Sequence, residues 1–249
     1  MARQKSLGAY EDRYKLVFAA GALHWNDPCP NPHLSRVLGQ LPVHSKCIEF
    51  GCGEGYQAYL IASQGHSVTA IDLSPTAIAK GVRNTPAGQQ IEFLVGDVTE
   101  ASSLNLQNES YDLAVDIGCL HMMVEDDDRA SYLDLVHSVL RRGGRLFLQN
   151  GLDLDDVTPG SEDEAKRLAE AKQAVAEAKK AQQSGCPTLR KIVTPDGAKQ
   201  VMLPLCPART LRLSSYIQEV ESHKFRILSS ERVSGSNVFY EVLLVAEKT

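Results

Sequence analysis

The sequence predicts an α/β fold: a seven-stranded, mostly parallel sheet with an antiparallel last strand pair and helices on both faces. Three observations carry this expectation. From residue 46 to residue 149 strand-like apolar runs alternate with helix patterns, as in a parallel sheet wrapped by helices. The first run ends in a glycine-rich turn, Glu49-Phe50-Gly51-Cys52-Gly53-Glu54-Gly55, that leads straight into a helix pattern. Near the C-terminus two strand-like runs are joined by Ser234-Gly235-Ser236-Asn237, a link too short for a parallel crossover.

Taken in order, Lys46–Phe50 is the first expected strand and residues 55–64 the first helix. Residues 67–71 form the second strand. Ser74-Pro75 opens the next helix, with a serine cap and a proline where no N–H is missed. That helix runs to about Arg83 and ends in Asn84-Thr85-Pro86-Ala87-Gly88. Ile91–Val95 and Tyr111–Ile117 are the third and fourth strands. Residues 122–140 read mostly as a helix, with an acidic entry at Glu125-Asp126-Asp127-Asp128 that suits a helix dipole. Arg141-Arg142-Gly143-Gly144 turns into a fifth strand, 145–149.

The alternation then breaks, and residues 150–210 read as an insertion. Residues 161–183 are rich in Ala, Glu and Lys, a strong helix former with a narrow apolar stripe of Leu168 and Val175. Residues 189–193 and 198–203 flank Asp196-Gly197, a hairpin signal. Together they are expected to cover the mouth of the site. Residues 215–223 form the last helix, with Ser215 and Gln218 as a capping box. Residues 225–233 and 238–246 form the terminal strand pair.

Composition bounds the function classes. The 249 residues are 43% hydrophobic and 23% charged, ordinary for a globular protein, and the net charge of −5 argues against extensive phosphate contact. No apolar run approaches membrane-spanning length, and no signal-peptide core follows Met1, so a cytoplasmic protein is expected. The six cysteines form no C-x-x-C pair, and the spacing of Cys119, Cys186 and Cys206 gives no support for a metal or metalloid site.

The turn at 51–55 lets a ligand approach the backbone at a helix N-terminus. A dinucleotide fingerprint requires its third glycine where Tyr56 stands. Asp72, ending the second strand, sits where such folds bind ribose hydroxyls. Glu49, Gly51, Gly53 and Gly55 instead resemble motif I of class I S-adenosylmethionine-dependent methyltransferases, a Rossmann-like family. The resemblance covers about residues 40–149 and 211–249. It implies S-adenosyl-L-methionine as cofactor and S-adenosyl-L-homocysteine as product. It also implies Asp72 on the ribose, Leu73 beside the adenine, and Asp97 with Val98 at the adenine amino group. The run Tyr111-Asp112-Leu113-Ala114-Val115-Asp116 fits the fourth strand. Arg142-Gly143-Gly144 resembles the family's Pro-Gly-Gly, with arginine for proline.

Within the family the chain is similar to the thiopurine and tellurite branch of small-molecule enzymes. That likeness implies an N-terminal cover over the cofactor, with Trp25 as a lid residue and Tyr14 earlier on the same cover. The expected organisation is one domain: cover 1–40, cofactor-binding core 41–149, insertion 150–210, and core completion 211–249. Ligands bind at the carboxyl ends of strands in such sheets. Asp116 and His121, after the fourth strand, are therefore the candidate catalytic residues, Asp116 also for the cofactor's amino group and His121 as a base. The expected function is methyl transfer to a small-molecule acceptor, with no nucleic acid, membrane or metal involved. A protein (lysine) methyltransferase and a non-catalytic cofactor-binding module are the alternatives. The chain is expected to be a monomer, or a homodimer through 161–183.

Overall fold

The computed structural model describes residues 2–26, 28–183, 187–234 and 240–249. Helix α1 (Ala2–Ala19) and the short α2 (Pro32–Leu38) precede the sheet. Then β1 (Lys46–Phe50), α3 (Tyr56–Ser63), β2 (Ser67–Asp72), α4 (Pro75–Asn84), β3 (Ile91–Val95), β4 (Tyr111–Ile117), α5 (Asp126–Val139) and β5 (Leu140–Gly151) alternate. After α6 (Glu162–Gln183) and the hairpin β6 (Thr188–Thr194) and β7 (Gly197–Leu203), the chain returns through α7 (Leu213–Ser222), β8 (Phe225–Ser234) and β9 (Tyr240–Lys248). The seven-stranded sheet has the order β3-β2-β1-β4-β5-β9-β8, and the hairpin is a separate two-stranded sheet. The expected fold class is the one observed.

Strand β1 lies between β2 and β4, parallel to both, so strand order reverses on its two sides. Phe50 stands opposite Ile71 on one side and Asp116 on the other. The carboxyl ends of the three central strands therefore finish level, which builds the crevice where open α/β sheets bind ligands. Alternation along β1 sends Cys47 to one face and Ile48 to the other, and each joins a separate apolar layer. Ile48 and Phe50 pack with Tyr132, Val136 and Tyr216 of α5 and α7, the Phe50 and Tyr132 rings edge to face at 5.5 Å. Cys47 packs with Leu34, Ala58, Ile61 and Ile78 of α2, α3 and α4.

The Ser74 cap forms as the sequence predicts, its hydroxyl accepting from the Ala77 N–H at 3.1 Å. Three boundaries differ. The helix expected over 122–140 begins only at Asp126, because residues 119–123 turn to meet buried polar groups described below. Strand β5 starts at Leu140 rather than 145, its first residues pairing Leu140 with Tyr111 across an irregularity. The capping box at Ser215 does not form: α7 starts two residues earlier, and Asp156 accepts from the Leu213 N–H at 3.0 Å in its place.

The insertion is also placed differently from the expectation that it covers the site. The hairpin docks on α1, where Ile192 and Leu203 bury Val17. Helix α6 lies near the end of β5, tied by Lys172 to Asp155 at 2.8 Å. Its seam is Leu168 with Ala171, too narrow to reach over the sheet. No helix among the described residues is long and apolar enough to cross a membrane. The terminal pair is antiparallel as expected; Gly235 to Phe239 lie outside the described residues.

Arg129 of α5 is 1% exposed and makes a two-pronged pair with Glu219 of α7, at 2.6 and 2.7 Å. Its remaining donors hold the carbonyls of Leu120 and Met123. A buried guanidinium stripped of its partner is costly, so Glu219→Ala should destabilise the fold by about 3 kcal/mol, at the low end because Glu219 is partly exposed. Urea denaturation checks this; a midpoint within error of wild type would remove the pair from the account.

Candidate functional site

A cavity of about 760 Å³ opens at the level ends of the central strands. That volume suits a small-molecule site. Its floor is the glycine loop. Gly51, Gly53 and Gly55 all have left-handed φ, of 68°, 55° and 80°. All three also sit where a Cβ would break packing, at Gly55 against the Phe93 ring. At Gly51 a Cβ would lie 2.9 Å from Cys119 Sγ, and at Gly53 it would strike Asn26 Nδ2 and the Tyr14 hydroxyl. The loop is tied to β2: Cys52 N–H donates to the Ile71 carbonyl, and Gly53 N–H donates to Asp72 Oδ2 at 2.8 Å. Asp72 Oδ1 accepts from Ser74 N–H at 2.8 Å. Burial raises the Asp72 pKa, and these two N–H bonds work against the rise.

Glu49 lines the same end and is 3% exposed, with Oε2 buried and unpartnered. Burial, reinforced by the nearby charge of Asp72, pushes its pKa up to about 8. Leu73, Asp97 and Val98 line the wall beside β2 and β3. Asp97 Oδ1 accepts from the backbone and hydroxyl of Thr99 at 2.9 and 2.7 Å, which fixes the turn after Gly96.

The N-terminal segment roofs the cavity. Tyr10, Arg13 and Tyr14 come from one face of α1, and Trp25 with Asn26 from the turn after it. Two carboxylates fasten this roof. Glu54, 1% exposed, accepts from the N–H groups of Trp25 and Asn26, both at 2.8 Å, and pairs with Lys80 at 3.1 Å. Lys80 also donates to the Leu23 carbonyl and lies 3.7 Å from the Phe18 ring centroid. Glu11 accepts from the Ser74 and Thr76 hydroxyls at the N-terminus of α4, where an anion is favoured. Burial opposes the charge of Glu11, but those hydrogen bonds outweigh it and hold the pKa below its ordinary value.

The far wall is the chain after β4. Ile117, Gly118, Cys119, Met122, Met123 and Val124 face the cavity, with Glu125 and Asp128 from the start of α5 and Pro207 from the segment after β7. Tyr10 reaches across to the Met122 carbonyl at 3.3 Å. From residues 150–210 only Pro207 joins the lining among the described residues.

The structure brings Trp25, Glu49, Gly51, Asp72, Leu73, Asp97 and Val98 together around the cavity, with Gly53 and Gly55 shaping the loop beneath. It does not bring Asp116 and His121 there, which corrects the expectation for both. Asp116 is fully buried below the far wall. Its oxygens accept from Cys119 and Leu120 N–H, Asn150 Nδ2 at 2.8 Å and the Tyr132 hydroxyl at 2.7 Å. No lone pair is left to aim at a ligand. His121 turns away to Asn150 Oδ1 and Gly151 N–H through Nδ1, and burial lowers its pKa to about 4. Gly118, at φ 80°, makes this turn, bending the chain so that Asp116 caps the residues that follow it. Sequence reasoning missed Tyr10 and Arg13. Their only signal is the helical spacing of Tyr10, Arg13, Tyr14 and Val17. Cys186 lies outside the described residues, while Cys119 lines the cavity and Cys206 is buried near Arg13.

Comparison with known proteins agrees with this geometry. Residues 47–144 match a family described as a methyltransferase domain. A ubiquinone biosynthesis O-methyltransferase of Xylella fastidiosa (strain 9a5c) is 30% identical over 142 residues, 53% of this chain and 56% of that protein. A 2-heptyl-1-hydroxyquinolin-4(1H)-one methyltransferase of Mycobacteroides abscessus is 32% identical over 77 residues, 30% of this chain and 34% of that protein. The chain thus spans about half or less of the length of these two relatives. Among solved structures, the 1,6-didemethyltoxoflavin-N1-methyltransferase of Burkholderia thailandensis superposes with a TM-score of 0.56 at 20% identity, over 88% of this chain and 77% of that one. That likeness shows the fold.

Glu54 fastens the roof through three partners, and a hydrogen bond to a charged group contributes about 1.5–3 kcal/mol. Glu54→Ala should raise the population of open roof by about tenfold or more. Trypsin cleavage at Arg13 and Lys15 should accelerate accordingly, with the global melting temperature little changed. Unaltered cleavage would show that the roof is held elsewhere.

Proposed function

We propose that this chain, whose residues 47–144 form a class I S-adenosylmethionine-dependent methyltransferase domain, transfers a methyl group to a small aromatic acceptor bound under Trp25. One observation carries the reading: Glu49 holds an unpartnered, buried oxygen at the edge of a glycine cradle, inside a cavity large enough for two small ligands. A buried acceptor without a donor costs free energy unless a ligand supplies one. The ammonium of the cofactor's methionine portion is a donor of the right charge. The cofactor supplies a methyl group already activated on a sulfonium.

The residues present fit that group. Glu49 would receive the ammonium. Asp72, whose oxygens each accept one backbone N–H, would take the ribose hydroxyls, and Leu73 and Val98 would hold the adenine with Asp97 for its amino group. Trp25 and Tyr14 would shelter the sulfonium, since a cation is attracted to an aromatic face. On the other side Tyr10, Met122 and Met123 offer an apolar slot for a flat acceptor. The names of the relatives support that choice, because a quinolone, a ubiquinone precursor and a toxoflavin precursor are all flat ring systems.

The cavity wall favours alignment over acid–base chemistry. Burial holds the Tyr10 hydroxyl and the Cys119 thiol protonated, above their ordinary values, and His121 is outside the cavity. The protein's contribution is to hold acceptor and methyl group in line and exclude water. Asp116 serves by fixing the far wall.

Two outcomes are expected. In calorimetry with S-adenosylhomocysteine, Asp72→Ala should weaken binding by about 30-fold or more, on the scale of lost charged hydrogen bonds, and His121→Ala far less. The reverse order would overturn the site assignment, and wild type that binds no S-adenosylhomocysteine would overturn the function. The second outcome concerns protons. Because Glu49 is protonated in the free protein below about pH 8, binding an ammonium there must release a proton. Affinity should therefore rise with pH and level off near pH 8, and Glu49→Gln should abolish this rise. The sign for stability is opposite: the raised pKa stabilises the free fold below the unfolded carboxyl value near 4.5, and that stability is lost as pH rises through about 8.

A further inference from the structure

The cavity is electrically lopsided. Glu49, Asp72 and Asp97 stand at the glycine-loop end, and Glu125 and Asp128 at the outer wall. Arg13 is the one basic side chain in the lining among the described residues. Its guanidinium sits 5.2 Å from the centre of the Trp25 ring. The Tyr10 phenol, the Cys206 thiol and Arg190 of β6 are among the groups that feel its charge. Burial keeps both the phenol and the thiol neutral, against the pull of Arg13. Burial, and then the charge of Arg13, hold Arg190 below its ordinary value. Among the described residues no carboxylate makes an ion pair with Arg13. A partly buried cation thus faces an aromatic ring, two neutral groups and a second cation. Among the described residues that environment pairs Arg13 with no anion, and the cavity is where one would arrive.

We propose that Arg13 is the specificity-determining residue for the acceptor: it binds a negatively charged group, a carboxylate or an ionised ring hydroxyl, on a flat aromatic molecule stacked near Trp25. The inference rests on the methyl-transfer reading of the same cavity. A guanidinium suits this role because its planar fork bonds an anion in two places while its face stacks on a ring. Arg190 adds positive potential from the hairpin, which the apolar contact of Ile192 and Leu203 with Val17 holds beside Arg13. An acceptor whose receiving atom is itself the anion is a ready nucleophile and needs no proton removed before transfer.

The test uses a charged probe and its neutral isostere, 2-naphthoate and 2-naphthamide, measured by calorimetry at physiological salt with and without S-adenosylhomocysteine. Quenching of Trp25, the single tryptophan of the chain, locates the bound probe. In wild type naphthoate should bind about tenfold to a hundredfold tighter than naphthamide, the range of a charge-assisted bond. Arg13→Met should bring the two within about twofold, and Arg13→Lys should keep part of the preference. Equal binding of the two probes to wild type would overturn the proposal without any variant having to fold, as would absence of naphthoate binding. A preference that survives in Arg13→Met would overturn it too. Failure of S-adenosylhomocysteine to bind would instead count against the function, and the probe pair in its absence would still judge Arg13.

Discussion

A carboxylate sealed from water must find all its hydrogen bonds inside the protein, and Asp116 finds them in the chain that follows it. The N–H groups of Cys119 and Leu120, the Asn150 amide and the Tyr132 hydroxyl close around it. Those partners come from three elements: the turn after β4, strand β5 and helix α5. Asn150, oriented by Asp116, then accepts the His121 N–H at 2.9 Å. Arg129 collects the carbonyls of the same turn and hands the strain-free remainder of its fork to Glu219. The far wall of the cavity is therefore a rigid surface built on buried polar contacts. Removing any member leaves the others unpaired in a dry interior, the expensive outcome.

The roof is made in another way. Among the described residues its apolar cluster holds Val17, Ile192 and Leu203 as buried members, far fewer than the layers on either side of the sheet. What fastens α1 and the following turn is charge: Glu11 on α4, Glu54 under Trp25 and Lys80 against Phe18. Contacts of this kind come apart at lower cost than a packed core, which places the roof at the low-stability end of the molecule. The cavity thus lies between a rigid wall and a roof that parts at lower cost.

The fold was legible because its signals are local. Strand-length apolar runs, the Ser74-Pro75 start and the glycines of 51–55 each follow from a few adjacent residues, and the residues expected around the cofactor meet at one cavity. Asp116 and His121 were misjudged for a physical reason. Position at the carboxyl end of a strand says that a residue is near the crevice, whereas the left-handed turn at Gly118 decides which way its side chain points. That turn depends on Tyr132 and Asn150, 16 and 34 residues away. The insertion was misplaced similarly, since the hairpin is visible in Asp196-Gly197 but its docking on Val17 is a contact of long range. Arg13 carries no motif; it becomes visible only when α1 is seen with one face turned to the cavity.

Charge unites the two ends of the site. Acidic groups at the glycine loop suit a positively charged cofactor, and under the proposal above Arg13 suits a negatively charged acceptor. Two such ligands would attract each other as well as the protein, and burial under the roof would strengthen that attraction. Where the receiving atom is itself the anion, transfer of the methyl group from the sulfonium would neutralise both charges and leave a thioether and a methylated acceptor. Where Arg13 holds a separate carboxylate, that contact would outlast the transfer. Glu11 and Glu54, which fasten the roof, are the contacts whose opening would then free the product.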